Sequence, residues 1–302
     1  MSDKAFKNEI EIIKGFIKDT STVIMGPEGD SSTVIMGPDI GDSSKGTFNS
    51  KLRVYSHGGR ILDLATRART IIKFFPKGNY SYPEEFKEKK NYKDLNKKDI
   101  EDAIQIAKNR AEGTSEDDKK YKEREVETTI AYNNRSCNNA KAIIIDMEFT
   151  CPKAWIGKKC NSKTGKPDLI VYDMKTNSFG LIELKVDNKS TDNKVKHFEN
   201  YYDMLFGDTE KIKKEFMRKM EYLMHYELIP NVSEKDLKKA LNNDMWAAFL
   251  FVGGVEKTSR TLFNKGKQSF EKKNKIKNSE FGYQHCKNAV GITLTRKAFF
   301  KV

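Results

Sequence analysis

An acid and a lysine stand two residues apart inside the apolar run Leu181–Val186. In a β-strand, successive side chains point to opposite faces of the sheet. The aliphatic residues of this run would therefore face the core. Glu183 and Lys185 would share the other face, about 6–7 Å apart along the strand. The spacing thus places an acid beside a positive charge on one side of a predicted strand.

A second predicted strand, Pro167–Asp173, comes directly before this one. A hairpin that turns through Met174–Asn177 brings Asp168 opposite Glu183, with Cβ atoms about 4.5–5.5 Å apart. Two carboxylates there would repel, whereas a divalent cation such as Mg²⁺ turns the repulsion into ligation, because it prefers hard oxygen ligands. Lys185 would then lie beside the metal, where it could orient a water or help to deprotonate it. Removing either acid is expected to hold or raise the melting temperature of the metal-free protein.

The acid-x-lysine triplet is not specific by itself. The chain has 43 acids among 302 residues, so such triplets recur by chance. This triplet differs from a chance occurrence in its context. It has apolar neighbours on both sides, it lies in a predicted hairpin, and a Pro-Asp pair stands opposite it. The alternative is an amphipathic hairpin whose charged face, with Glu183 and Lys185, is simply solvated.

The elements around the hairpin predict an α/β domain. We expect a helix over residues 117–132, a helical stretch from 193 to 228 that is broken near Gly207, and strands at 142–151, 167–173, 179–186, 245–252 and 289–295. Upstream, residues 4–19 and 99–111 have helical spacing of apolar residues, and 60–75 is a mixed apolar segment. From residue 117 the order is therefore helix, three strands, helix and strand.

Pro167-Asp168, a gap of 14 residues and Glu183-Leu184-Lys185 together resemble the signature of the PD-(D/E)xK nuclease superfamily. The resemblance covers roughly residues 117–255. It implies a mixed central β-sheet flanked by helices, a restriction-endonuclease-like core to which the N-terminal residues are an elaboration. Members are mostly metal-dependent DNA nucleases, including restriction enzymes and phage-defence effectors.

The resemblance also implies roles for single residues. Asp168 and Glu183 match the metal-binding acids, Lys185 matches the active-site lysine, and the implied metal is Mg²⁺, with Mn²⁺ able to substitute. Many members add a glutamate from the preceding helix, for which we choose Glu127. The alternatives are Glu123 and Glu125 on the same helix, Asp146 and Glu148 on the first strand, or a solvated Glu127 that binds no metal.

One departure concerns the helix after the ExK strand. The exonuclease branch often carries Gln-x-x-x-Tyr there, whereas this chain has His197 followed by Tyr201. The histidine weakens an assignment to that branch. Contact of His197 with a phosphate is one interpretation, and a surface histidine is the one we favour.

The net charge of +13 is concentrated at the C-terminus. Residues 257–302 hold ten lysines and two arginines but only two acids, Glu271 and Glu280. Such a bias favours a polyanionic partner, most commonly nucleic acid. We expect Lys272, Lys273, Lys275 and Lys277 to contact phosphates. The alternative is a solvated loop remote from the substrate.

The remaining sequence bounds the protein class. We expect residues 1–115 to form an N-terminal elaboration of unknown role and residues 116–302 the nuclease-like domain with its basic segment. The elaboration contains an 11-residue tandem repeat at 21–42, in which Ser-Thr-Val-Ile-Met-Gly-Pro occurs twice. Gly-Pro is expected to close each short strand, in a duplicated tolerant loop or, alternatively, in a contact surface.

No apolar stretch approaches the ~18 residues of a membrane span, and the N-terminus lacks a hydrophobic signal region. The four cysteines form no CxxC pair, which gives little support to a zinc or iron–sulfur site. We therefore expect a cytoplasmic chain that does not bind a membrane.

These observations predict a divalent-metal-dependent nuclease that hydrolyses phosphodiester bonds. We expect a DNA endonuclease of restriction or phage-defence type, with DNA favoured over RNA as the partner. The alternative is a catalytically idle nucleic-acid-binding protein with a nuclease-like fold. The sequence is compatible with a homodimer and does not define the oligomeric state.

Overall fold

The structure is a computed structural model. It describes residues 34–40, 50–56, 59–67, 70–74, 98, 102, 105, 109, 116–136, 141–147, 149, 151–157, 166–187, 194–225 and 228–300. The chain divides into two compact units, one of Met1–Tyr132 with Tyr222–Leu228 and one of Asn133–Glu221 with Ile229–Val302. The helix predicted over 4–19 lies outside the described residues.

The first unit contains a four-stranded antiparallel sheet in the order β1-β2-β3-β4. Its strands are β1 (Val34–Ile40), β2 (Ser50–Ser56), β3 (Gly59–Arg67) and β4 (Thr70–Phe74). The mixed apolar segment 60–75 therefore forms most of a β-hairpin. Helix α1 (Glu116–Ser136) confirms the helix predicted over 117–132 and extends it by one turn.

The second copy of the tandem repeat forms β1, an edge strand. Gly-Pro was expected to close the strand, and this is wrong for the second copy. The pairing with β2 shifts between Met36 and Asp39, so Gly37 and Pro38 sit in an irregularity and the strand continues to Ile40. Proline has no N–H to donate to a ladder, and an edge strand or a bulge accommodates it. The first copy lies outside the described residues.

The second unit is built on a five-stranded mixed sheet in the order β5-β6-β7-β8-β9. The strands are β5 (Ala142–Met147), β6 (Leu169–Asp173), β7 (Ser178–Val186), β8 (Trp246–Val252) and β9 (Gly282–Cys286). Neighbours from β5 to β7 are antiparallel, and neighbours from β7 to β9 are parallel. This confirms the predicted α/β class with a mixed sheet flanked by helices.

Helices α2 (Lys194–Leu205) and α3 (Thr209–His225) confirm the predicted broken helical stretch. The break falls at Gly207, where a Cβ would overlap the carbonyl oxygen of Trp155. Further helices are α4 (Glu234–Asn242), α5 (Glu256–Asn274) and α6 (Arg296–Phe299). Among the described residues, none of the helices has the length and apolarity needed to cross a bilayer.

Several elements differ from the prediction. Strands β2 and β9 and helices α4, α5 and α6 were not expected. In α5 the lysine-rich run hides the helical spacing of buried residues such as Phe263, Gly266 and Phe270. The strand predicted at 289–295 is absent from the described residues there. Its alternating apolar pattern is interrupted by Gly291, whose φ of +71° does not belong to a strand.

Aromatic side chains fill both sides of the central strands. Phe198 of α2 stacks on Phe249 of β8 at a centroid distance of 4.2 Å, and Phe270 of α5 lies next to Phe198 at 5.9 Å. On the other side, Trp246 packs against Phe299 of α6 at 5.6 Å. Since β8 is buried along its whole length, the sheet is covered on both faces here.

Gly180 provides a test of this packing. It is paired with Trp246 across the β7–β8 ladder, and the indole, whose Nε1 donates to Ser178 Oγ at 3.2 Å, occupies the space of a Cβ. We expect Gly180→Ala to lower the free energy of unfolding by about 1–3 kcal/mol through overpacking. Urea denaturation followed by circular dichroism measures it. In a Trp246→Phe background the smaller ring leaves room, so the same substitution should cost less; equal costs would contradict the contact.

Candidate active site

The β6–β7 hairpin has the predicted turn and register. Asp173 pairs with Ser178, and the ladder runs back to the pair Leu169 and Ile182. Asn177, with a φ of +46°, closes the turn and accepts a hydrogen bond from the Tyr172 hydroxyl at 2.7 Å. The next positions beyond the ladder are Asp168 and Glu183, so the same register sets them side by side.

The Asp168 carboxylate reaches across to the neighbouring strand. Its Oδ2 accepts a hydrogen bond from the backbone N–H of Leu184 at 2.7 Å. Since Leu184 follows Glu183 directly in β7, this bond fixes the Asp168 side chain beside Glu183. The structure thus brings the two predicted acids together at the end of the hairpin.

Glu183 is almost completely buried, with 1% of its side chain exposed. Its Oε1 forms an ion pair with Lys185 Nζ and lies 2.8 Å from Nδ1 of His197. Its Oε2 accepts a hydrogen bond from the Tyr201 hydroxyl. Both oxygens of this buried carboxylate therefore have partners, from β7 itself and from α2.

These partners keep Glu183 ionised. Burial opposes the charge, but the charge of Lys185 and the hydrogen bond and charge of His197 outweigh it and lower the pKa of Glu183 from 4.5 to about 2. Burial, with the nearby charges of Glu183 and Asp168, raises the pKa of Tyr201 well above its ordinary value of 10. The tyrosine therefore remains a hydrogen-bond donor at neutral pH.

The environment of the acid pair differs from the expected open face. Helix α2 covers this side of β7, and Lys185 neutralises Glu183, so the carboxylates are not left to repel each other. Lys185 and His197 have side chains that are 13% and 29% exposed, and Asp168 is partly exposed. The site therefore opens to solvent on the side of these three residues.

His197 and Tyr201 belong to the site, although the sequence analysis favoured a surface role for the histidine. That interpretation is wrong, because both side chains contact Glu183. The signal was their spacing of four residues, which puts two side chains on one face of a helix. What the sequence did not show is that this face of α2 lies over Glu183.

The third predicted acid is not tested by these contacts. Glu127 lies on α1, in the first unit, and is buried with 5% of its surface exposed; its part in the site stays a prediction. Asp146 is fully buried, and its Oδ2 lies 2.9 Å from Nζ of the equally buried Lys219. That partner already balances the charge of Asp146. Glu148 lies outside the described residues.

The donor set suits a small hard cation. In the part of the chain that the structure describes, no three His, Cys, Asp or Glu side chains form a metal-binding group. Asp168 and Glu183 supply two carboxylates, and Mg²⁺ is typically held by one or two carboxylates while keeping waters and substrate oxygens. The residue types therefore fit such an ion, with Lys185 as the competing counter-charge on Glu183.

The basic segment lies across α2 from the acid pair. Lys272 and Lys273 end α5, Lys275 caps it with a φ of +55°, and Lys277 follows; all four are exposed. Lys273 Nζ lies 2.8 Å from Oε1 of Glu199 on α2. Glu199 is two residues from His197, and a helix is about 10 Å wide, so Lys273 is anchored roughly one helix diameter from the acid pair.

The ionised state of Glu183 gives a prediction that reverses the sequence expectation. Removing its charge leaves Lys185 and His197 without their partner, so we expect Glu183→Gln to lower the free energy of unfolding at neutral pH by roughly 2–4 kcal/mol. Because the folded pKa is depressed, this stabilisation is complete above the unfolded pKa near 4.5 and is lost as the pH falls towards 2. The difference in the free energy of unfolding between the wild type and the Glu183→Gln variant should therefore become smaller as the pH falls.

Urea denaturation followed by circular dichroism across this pH range measures this difference. Glu234→Gln is the matched control, since it removes the same charge from a carboxylate that is 81% exposed. A difference that stays constant with pH, or an equal loss in the control, would contradict the arrangement around Glu183.

Comparisons with known proteins found no match. No protein-family model, no curated protein and no solved structure matches the chain.

Proposed function

We propose that the chain is a divalent-metal-dependent nuclease that hydrolyses phosphodiester bonds in DNA, an endonuclease of restriction or phage-defence type. One observation carries the proposal. Asp168 and Glu183 lie side by side at the end of adjacent strands, and Lys185 lies next to them. This is the arrangement that the PD-(D/E)xK resemblance implies.

The order and direction of the elements support a restriction-endonuclease-like core. Helix α1 is followed by three antiparallel strands, then by helices α2, α3 and α4, and then by β8, which pairs parallel to β7. The resemblance implies this same order of helix, strand, PD strand, ExK strand, helix and strand. Asp168 directly precedes β6, and Glu183 lies in the C-terminal half of β7, towards the edge where open α/β sheets commonly bind ligands.

Asp168 and Glu183 are the residues that would hold Mg²⁺ or Mn²⁺, and Glu127 is our proposed third ligand. When bound, the ion supplies Lewis-acid stabilisation of a phosphate and a more acidic water. Lys185 keeps a positive charge close to the substrate phosphate, and its exposed fraction lets it exchange Glu183 for that phosphate.

His197 and Tyr201 have a positioning role in this proposal. The Tyr201 hydroxyl holds Oε2 of Glu183, and His197 holds Oε1, so the carboxylate keeps one orientation when Lys185 moves. The hydrogen bond from Leu184 N–H does the same for Asp168. Fixed orientation of charged groups matters because misplacement by about 1 Å can cost a hundredfold in rate.

The basic segment supplies affinity for the phosphate backbone. Lys272, Lys275 and Lys277 are exposed, and the described residues include no acid paired with any of them. Lys273 differs, because Glu199 already holds its ammonium group. Contacts of this kind hold the backbone and carry little base information.

A catalytically idle nucleic-acid-binding protein is the second candidate. The observation in its favour is that both oxygens of Glu183 are engaged by Lys185, His197 and Tyr201. In that case DNA would bind without being cut, with or without a divalent ion.

Cleavage assays separate the two candidates. We incubate the protein with plasmid, linear duplex, single-stranded DNA and RNA in Mg²⁺, Mn²⁺ or EDTA, and expect metal-dependent cleavage of DNA. Asp168→Ala, Glu183→Ala and Lys185→Ala should each reduce the rate by roughly a hundredfold or more. Glu234→Ala, which removes an exposed acid, is the control. Cleavage that persists in all three folded variants rejects the assignment, and DNA binding without any cleavage supports the idle protein.

Salt-dependent binding tests the basic segment. Reversing Lys272, Lys275 and Lys277 to Glu, while leaving Lys273 in its ion pair, should flatten the log–log dependence of DNA affinity on salt by about 0.9 for each lost contact. Affinity should fall equally for all DNA sequences. Fluorescence anisotropy with a labelled duplex measures both.

The control reverses the exposed lysines Lys235, Lys238 and Lys239 on α4, which changes the net charge equally. An unchanged slope in the α5 variant would favour a solvated segment away from the substrate. A loss confined to one DNA sequence would instead indicate contacts with base edges.

A further inference from the structure

Four lysines line a cavity of about 500 Å³ in the second unit. They are Lys141, before β5; Lys175, in the β6–β7 turn; Lys287, after β9; and Lys297, in α6. No acidic residue is present among its described lining residues. Four separate segments of the chain therefore direct positive charge to one concave surface.

The buried carboxylate of Asp173 builds this arrangement. Its Oδ1 accepts a hydrogen bond from the backbone N–H of Lys175 at 2.8 Å, and its Oδ2 accepts one from Arg296 N–H at 2.7 Å. These bonds tie the β6–β7 turn to the start of α6, which carries Lys297. The N–H of Met174 donates to the carbonyl oxygen of Lys141 at 3.0 Å, which ties a third lysine to the same turn. These hydrogen bonds thus fix the main chain at or next to three of the four lysines.

The positive charge of the cavity is not balanced locally. Asp173 is fully buried, and its oxygens are used by backbone N–H groups. Within the described ranges, none of the four lysines forms an ion pair. All four lysines are exposed, so a polyanion bound in the cavity would gain attraction from several of them at once.

Gln284 adds a neutral hydrogen-bond acceptor to the wall. Its Nε2 donates to Sγ of Cys286 at 3.4 Å, whereas its buried Oε1 has no hydrogen-bond partner among the described residues. A buried acceptor without a partner is costly, so such atoms are generally satisfied by a ligand or by water. Rotation of the partly exposed Gln284 side chain would present this acceptor to a ligand that carries an N–H or O–H donor besides its negative charge.

We propose that this cavity binds a small, multiply phosphorylated ligand of nucleotide size. The phosphates lie among the four lysines, and a donor on the base or sugar binds Oε1 of Gln284 once that side chain has rotated towards the cavity. The volume is within the range of about 300–1,000 Å³ that is usual for small-molecule sites. The proposal goes beyond the nuclease function and uses none of its residues.

Isothermal titration of the full chain with ATP and with inorganic tripolyphosphate tests the proposal, in EDTA so that the result does not depend on nuclease activity. We expect both probes to bind at one site per chain. Lys175→Ala combined with Lys297→Ala should weaken both by about tenfold or more, as expected for lost charge-assisted contacts. The matched control is Lys235→Ala with Lys265→Ala, which removes two exposed lysines outside the cavity and should change affinity less than about twofold.

Gln284→Leu separates the two parts of the ligand, since it should weaken ATP binding and leave tripolyphosphate binding unchanged. Circular dichroism confirms that each variant is folded. Absence of saturable binding to the wild-type chain overturns the proposal, as does an equal loss in the cavity and control variants. If the cavity variant loses affinity for duplex DNA alone, the lysines belong to a nucleic-acid surface instead.

Discussion

The second unit depends on keeping one carboxylate charged inside a covered sheet. Glu183 lies in a strand whose neighbours on both faces are buried, and an isolated charge there would cost several kcal/mol. Lys185 balances the charge from the same strand, and α2 contributes His197 and Tyr201. Helix α2 must therefore pack on this face of β7 at one position along the strand and with one rotation about the helix axis. The charge of Glu183 thus constrains the strand, the helix and the contact between them.

A second buried pair obeys the same constraint with a different result. Asp146 on β5 and Lys219 on α3 are both fully buried, 2.9 Å apart. Breaking such a pair by removing one partner is strongly destabilising, which makes it a poor place for exchange with a ligand. Glu183 differs because its counter-charges, Lys185 and His197, are partly exposed. Exposure of the partner, more than of the acid, distinguishes a candidate active site from a structural ion pair.

The parts of this site that the sequence predicts are those set by local geometry. A four-residue turn and a side-chain period of two place Asp168 next to Glu183, and Gly207 marks the break between α2 and α3. The cover over Glu183 is not predictable in this way, because it depends on which helix face packs on the sheet. Helix α5 was missed for a related reason: four buried residues specify its inner face, while lysines dominate its composition. Tertiary packing decided both cases.

Asp168 directly precedes strand β6 and Asp173 ends it, and their surroundings give the two aspartates different chemistry. Asp173 is fully buried and uses its oxygens on backbone N–H groups, so it organises the lysine cavity without facing a ligand. Asp168 is partly exposed and holds one backbone N–H beside Glu183. Five residues of extended chain separate them by about 17 Å. The proposed metal site and the proposed phosphate cavity therefore lie at opposite ends of one short, buried strand, which holds them at a fixed distance.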